Sequence, residues 1–171
     1  ARDDLADGGM LHVAQCVTAI RKVSPLTRIE TLISDVKGTD ALDILLAVKP
    51  DVLNHNIETV ARLQRAVRPS AGYARSLSVL ARAKAADLTA KSGLIMGMGE
   101  TLEEAEGTLV DLAGVGVDIV TIGQYLRPTT HHLPVARWVE PAEFDHLKKF
   151  GEALGISHVE SSPLTRSSYH A

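Results

Sequence analysis

The chain has 171 residues, 45% of them hydrophobic, a net charge of −3 and one cysteine. That length and apolar share suit one globular domain with a real core, or part of a larger one. Charges of both signs are interspersed, which excludes a field that would draw nucleic acid or a membrane surface, and the lone Cys16 excludes an internal disulfide and any zinc or cluster site built from several thiolates of this chain. The sequence has no run of about 18 apolar residues and no signal peptide, so a soluble intracellular chain is expected.

Residues 1–9 are polar and end in Gly8-Gly9, a loop by composition. A helix follows, in which Val13, Cys16, Val17 and Ile20 recur at helical spacing on one apolar face, with Pro25 just beyond its end. On that face Cys16 reads as a small core residue and not as a nucleophile. Residues 28–35 read as a short strand around Ile29, Leu32 and Ile33, residues 38–40 as a turn, and residues 41–48 as an apolar helix stopped by Pro50. Residues 52–58 enter as an apolar strand and leave through Asn54, His55, Asn56 and Glu58. A plain reading makes the two asparagines a turn and lets Thr59 or Glu58 cap the next helix. Four hydrogen-bonding side chains in five residues exceed what a turn needs, and the competing reading is a ligand-binding strand end.

A helix carrying Val60, Leu63 and Val67 should stop before Pro69, and a second should present Leu77, Leu80, Ala81 and Lys84. Residues 93–98 form an apolar run read as a buried strand. Gly97 and Gly99 then permit a sharp turn, and Thr101 with Glu104 makes a capping box for a helix that places Ala105, Leu109 and Leu112 on one face. That helix ends among Gly114 and Gly116. Residues 118–126 are another strand with a polar tip at Gln124 and Tyr125, followed by a loop holding His131 and His132, whose adjacency argues against shared zinc ligation. Pro141 opens a helix with Phe144, Leu147 and Leu154 inward, and a last strand near residues 156–160 precedes a polar tail.

Strands and helices thus alternate about five times in units of roughly 30 residues, the βαβ rhythm of a parallel sheet. Three strand ends rich in polar groups, at 54–58, 97–100 and 123–125, should meet at one mouth. The expected architecture is an α/β fold, a barrel or part-barrel, with a site for a ligand bearing sugar-like hydroxyls and a flat apolar ring. Neither the dinucleotide fingerprint nor the phosphate loop is matched at residues 97–102.

Gly93-Leu-Ile95-Met-Gly97-Met-Gly-Glu100 fits the G-x-I-x-G-x-x-E pattern of radical S-adenosylmethionine enzymes, and Asn54-His-Asn56-Ile-Glu58-Thr is similar to the ribose-contacting strand end of lipoyl and biotin synthases. Arg2-Asp-Asp-Leu-x-Asp-Gly-Gly9, Lys91-Ser-Gly-Leu, Gly123-Gln-Tyr-Leu-x-Pro128, His132-Leu-Pro-Val135 and the tail Arg166-Ser-Ser-Tyr-His-Ala171 together resemble the lipoyl synthase family over the whole chain. The resemblance implies a partial parallel (β/α) barrel of the radical S-adenosylmethionine type, lacking its N-terminal strands here, in one domain whose tail, residues 161–171, contacts an auxiliary cluster. It implies an enzyme of the bacterial cytoplasm that inserts sulfur at carbons 6 and 8 of an octanoyl chain. That chain is carried on a lysine of a lipoyl-carrier domain from a 2-oxoacid dehydrogenase or the glycine cleavage system. Two 4Fe–4S clusters serve it: one cleaves S-adenosylmethionine, the other is the sulfur source.

By the same resemblance Asn56 and Glu58 hold the ribose hydroxyls, Ile95 packs the adenine, and the backbone near Gln124 and Tyr125 reads its edge. Asn54, Lys91, Gly97, Glu100 and Leu126 complete the cofactor-binding set. Ser167 or Ser168 would give the auxiliary cluster an oxygen ligand, with Arg166 beside it and Arg2 and Asp3 in the same neighbourhood; no catalytic residue is assigned. The family has Pro where this chain has Ser34 and Ala61, and Gly where it has Ser162. Both cluster-binding cysteine sets of the family fall upstream of Ala1, so the chain reads as the carboxyl-terminal two-thirds of such an enzyme, inactive alone. Sulfur insertion of the biotin synthase kind and a non-catalytic nucleoside-binding module of the same fold stay open as alternatives.

Overall fold

The computed structural model describes residues 5–36 and 39–168. Arg2, Asp3, the start of the turn expected at 38–40 and the tail residues 169–171 lie outside them. Five strands make one sheet in chain order, every neighbouring pair parallel: β1 (Glu30–Leu32), β2 (Val52–Asn54), β3 (Thr89–Met96), β4 (Ile119–Gln124) and β5 (His158–Ser161). The connections are α1 (Met10–Val23) before β1, then α2 (Thr39–Ala47), a 3-10 turn (Ala61–Leu63) running into the one-turn α3 (Gln64–Val67), α4 (Tyr73–Ala85), α5 (Leu102–Gly114) and α6 (Pro141–Ala153). The sheet stays open, with β1 on one edge and β5 on the other. This is the part-barrel expected from the βαβ rhythm.

The two faces of the sheet divide the labour. Leu94, Met96, Val120, Ile122 and Val159 pack with Leu80 and Ala83 of α4, Leu109 and Leu112 of α5, and Phe144 and Leu147 of α6, all of them buried. The alternate positions Gly93, Ile95, Thr121 and Gly123 look into the concave face. Apolar burial closes the outside and leaves the inside for chemistry.

The helix starts follow the local signals. Thr101 accepts from the Glu104 amide at 3.2 Å and Glu104 returns to the Thr101 amide at 2.9 Å, the full capping box, and Pro141 stands at N1 of α6. Glu104 also holds Arg62 through two contacts of 2.6 and 2.8 Å; the Arg62 hydrogen bond, then the Thr101 amide, pull its carboxyl down to about 2.

Several expected faces are rotated. In α1 the buried residues are Met10, Ala14 and Val17, whereas Cys16 is exposed, 3.7 Å from His12 one turn back, and Ile20 is 38% exposed. The helix packs chiefly on α2 beyond the sheet, so a narrower stripe is covered than its apolar pattern offers. In α4 the inward stripe is Ser76, Val79, Leu80 and Ala83, one position off the Leu77–Ala81–Lys84 face, because Ser76 is drawn into a polar cluster described below. Leu154 falls past the end of α6 and is 38% exposed. Neither Thr59 nor Glu58 caps the helix after β2, whose N-cap is Val60 without a side-chain bond; Glu58 has a positive φ of 66° instead.

Candidate functional site

The site begins with an irregularity in β2. Asn54 pairs with Lys91 and Glu58 bridges to Leu94, so four steps on one strand face three on the other: a one-residue bulge. Its backbone is satisfied piecemeal. His55 N–H donates to the Lys91 carbonyl at 2.9 Å, Ile57 N–H to the Ser92 hydroxyl at 3.1 Å, and Glu58 N–H to the Gly93 carbonyl at 2.8 Å; the Ser92 hydroxyl donates to the His55 carbonyl at 2.9 Å. Leu94 belongs to the helix-side core, while its register partner Glu58 lines the concave side. The left-handed φ of Glu58 is what turns the side chain across the sheet, a conformation that costs a β-carbon residue about 1–2 kcal/mol.

Two inward glycines make room for what the bulge presents. A β-carbon on Gly93 would stand 2.8 Å from Asn56 Oδ1 and 3.1 Å from Thr121 Oγ1. One on Gly123 would collide with the Thr165 carbonyl, because the tail crosses the end of β4 there. The result is a cavity of about 330 Å³, walled by Asn56 and Glu58 from β2, Ile95 from β3, Gln124, Tyr125 and Leu126 from β4 and after, and Arg166 with Ser167 from the tail. That size lies at the small end of ligand pockets. A second cavity of about 480 Å³ shares Asn56 and Glu58 and is lined as well by Ser34, Asp35 and Arg68. Asn56 Oδ1 and Ser34 Oγ are buried without a hydrogen-bond partner, acceptors left open at this junction.

Of the residues singled out from sequence, Asn56, Glu58, Ile95, Gln124, Tyr125, Leu126, Arg166 and Ser167 share the first cavity; Ser168 is exposed beside it. The remainder stand elsewhere. Asn54 donates to Glu30 at 2.8 Å, and the Lys91 ammonium, 1% exposed, pairs with the Glu30 carboxylate at 3.0 Å, a partly buried polar cluster joining β1, β2 and β3. Glu100 is buried and closes the glycine turn, accepting from Gly97 N–H at 2.6 Å and Met98 N–H at 2.9 Å. The Gly97 carbonyl in turn accepts from Ala136 N–H at 2.9 Å, and Gln124 accepts from Val139 N–H at 2.9 Å, so the segment after β4 is sewn across both strand ends.

No family model matches the chain. It is 53% identical over 176 residues to the lipoyl synthase of Xylella fastidiosa and likewise 53% identical to that of Xanthomonas oryzae pv. oryzae, each alignment covering 99% of this chain. This chain is homologous to the lipoyl synthases. The Escherichia coli lipoyl synthase matches at 52% identity over 174 residues. The chain spans about half the length of these curated relatives, 47% to 54%, against the two-thirds expected from sequence. Among solved structures, Streptococcus suis SuiB superposes with a TM-score of 0.64 at 9% identity, over 81% of this chain and 32% of that one. A domain of a pyruvate-formate lyase-activating enzyme from Bacteroides vulgatus gives 0.66 at 8% identity, over 90% and 95%. These distant likenesses show the fold alone, an open parallel α/β sheet shared with both structures. SuiB has also been solved bound to S-adenosylmethionine.

Set against this lipoyl synthase kinship, the site residues that sequence reasoning passed over are Asp35, Arg68, Ser76 and Thr165. The signal for Ser76 was present: a polar residue standing one turn before Leu80 on a helix whose inward face is otherwise apolar. Asp35 and Arg68 gave none, since Asp35 meets His55 across 20 positions and Arg68 meets Asn56 across 12. Among the described residues no three of His, Cys, Asp and Glu gather as a metal-holding group.

Proposed function

We propose that the chain is the nucleoside-binding part of a lipoyl synthase, an enzyme that uses S-adenosylmethionine to insert two sulfurs into an octanoyl chain carried on a lipoyl-carrier domain in the cytoplasm. The observation that carries the reading is the convergence of the Asn56–Glu58 bulge, the Gly93–Ile95 strand and the Gln124–Tyr125 strand end on one cavity, in a chain 52–53% identical to lipoyl synthases.

The cavity suits a nucleoside. Glu58 and Asn56 offer an acceptor and an amide to two vicinal hydroxyls. Ile95 lines the cavity as an apolar contact for a purine. The Arg68 guanidinium, in the wall of the adjoining second cavity, suits the carboxylate of the amino-acid end. Bound S-adenosylmethionine would supply a carbon radical on reduction. This chain holds and orients it, and the tail over Gly123 screens it from water.

The cysteine donors that two iron–sulfur clusters need are not in this chain. Cys16, the one cysteine, is exposed on α1 away from the cavity, so the steps at the clusters fall outside this chain. Its contribution there is an oxygen donor, Ser167 or Ser168, with Arg166 beside it.

Titration of the full-length, cluster-reconstituted protein with S-adenosylhomocysteine in a calorimeter tests the reading. Binding should weaken at least about tenfold in Glu58→Ala, the loss of a charge-assisted hydrogen bond. Sulfur should appear on an octanoylated carrier and on no free fatty acid. Binding unaffected by Glu58→Ala removes the site; a cofactor-binding protein inert toward the carrier removes the substrate.

A further inference from the structure

Asp35, His55 and Ser76 form a cluster that is 2%, 0% and 0% exposed and takes no part in lining the first cavity. The imidazole Nδ1 is 3.0 Å from the Ile33 carbonyl, and Nε2 is 2.9 Å from Asp35 Oδ1 and 3.0 Å from Ser76 Oγ. The Ser76 hydroxyl donates to the same carboxylate oxygen at 2.8 Å, Gly72 N–H donates to the other at 2.8 Å, and the Arg75 guanidinium stands 3.4 Å from it. A Ser, a His and an Asp in contact suggest a nucleophile, but the hydroxyl reaches neither cavity and donates directly to the carboxylate. The cluster is not built to attack anything.

What it does touch is the bulge. His55 is the first residue of it. Arg68, 3.9 Å from Asp35, donates to the carbonyls of Asn56 at 3.0 Å and Ile57 at 3.4 Å, groups that a regular ladder would have paired with β3. Three segments, the end of β1, the bulge and the start of α4, are thereby locked to one another around a single carboxylate. With Ser92 holding the other side, the extra residue cannot slip out, and Asn56 and Glu58 keep their spacing.

We propose that Asp35, His55 and Ser76 are positioning residues that fix the bulge in the one shape able to read two vicinal hydroxyls, and that they thereby set selectivity for ribose over deoxygenated sugars. The proposal deepens the nucleoside reading and rests on it.

The experiment compares binding of S-adenosylhomocysteine and its 2′,3′-dideoxy analogue to the full-length protein and to His55→Gln, Ser76→Ala, Ser76→Thr and Glu58→Ala. The unmodified protein should prefer the hydroxylated ligand. His55→Gln and Ser76→Ala should narrow that preference by about fivefold while affinity for the dideoxy analogue changes less than about twofold, and Ser76→Thr, which keeps the hydroxyl, should restore it. Preference retained in full, or both ligands lost in proportion, overturns the proposal. Should His55→Gln fail to fold, Ser76→Ala, which removes one hydroxyl from an intact helix, decides the matter alone. If Glu58→Ala narrows the preference and the cluster variants do not, only this inference falls. If the unmodified protein binds neither ligand, the nucleoside reading falls first and takes the inference with it.

Discussion

At the scale of single residues, Glu58 spends backbone energy to face the cavity, and that cost can be measured apart from binding. Glu58→Ala and Glu58→Gly both remove the carboxylate, but only glycine accepts φ 66° without strain. In denaturant titrations the glycine variant should be the more stable of the two by about 1 kcal/mol, with equal loss of S-adenosylhomocysteine binding. Equal stabilities would mean that position 58 carries no strain. Gly123 makes the converse case. A β-carbon there strikes the Thr165 carbonyl, so Gly123→Ala should lift the tail, costing about 1–3 kcal/mol and exposing residues 162–168 to faster hydrogen exchange. Unchanged exchange in that segment would show that the tail does not rest on β4. Neither feature was readable from residue type alone. Glu58 stood out as a polar strand end, and its left-handed backbone arises from pairing with a strand 36 residues away.

At the scale of elements, local chemistry and tertiary demand part company in instructive places. The capping box at Thr101 and the proline start of α6 formed as their sequences require, since both are settled within one turn. The burial of α1 was not local: Cys16 sits on an apolar stripe, but with α2 as the main neighbour only Met10, Ala14 and Val17 are buried. The polar lock between β1, the bulge and α4 depends on Asp35 staying ionised. Burial pushes its carboxyl up, but the hydrogen bonds from His55, Gly72 and Ser76 prevail and hold it well below the usual carboxylate range. A depressed carboxyl stabilises the fold fully above the unfolded value near about 3.9 and loses that contribution as pH falls below it. Urea unfolding of the unmodified protein should therefore weaken steeply from about pH 5 downward. Asp35→Asn should start less stable at neutral pH and decline along a shallower slope. Parallel curves would mean that Asp35 contributes nothing through its charge.

At the scale of the whole molecule, alternation of apolar strand and amphipathic helix made the parallel sheet legible, because each unit is specified within about 30 residues. The convergence of three strand ends was legible for the same reason: parallel strands carry their carboxyl ends to one side. What stayed hidden was whatever joins distant segments, such as the carboxylate shared by three of them or the lysine that left the mouth for Glu30. The open sheet also has a physical liability. β1 is an edge strand with Leu32 59% exposed, and Leu11, Ile20 and Ile44 add apolar surface on α1 and α2. The 171-residue chain alone should elute from a sizing column partly as larger species, and Leu32→Lys should shift it toward monomer; an unmodified chain that elutes as a clean monomer would show the edge to be harmless. The bulge in β2 has a consequence of a different kind. Because side chains alternate along a strand, the interval between Asn54 and Glu58 carries information of its own: a relative with one residue fewer there would pair smoothly with β3 and send its glutamate out toward the helices. Counting that interval, rather than matching the letters around it, sorts the sequences that keep the pocket from those that have merely kept the fold.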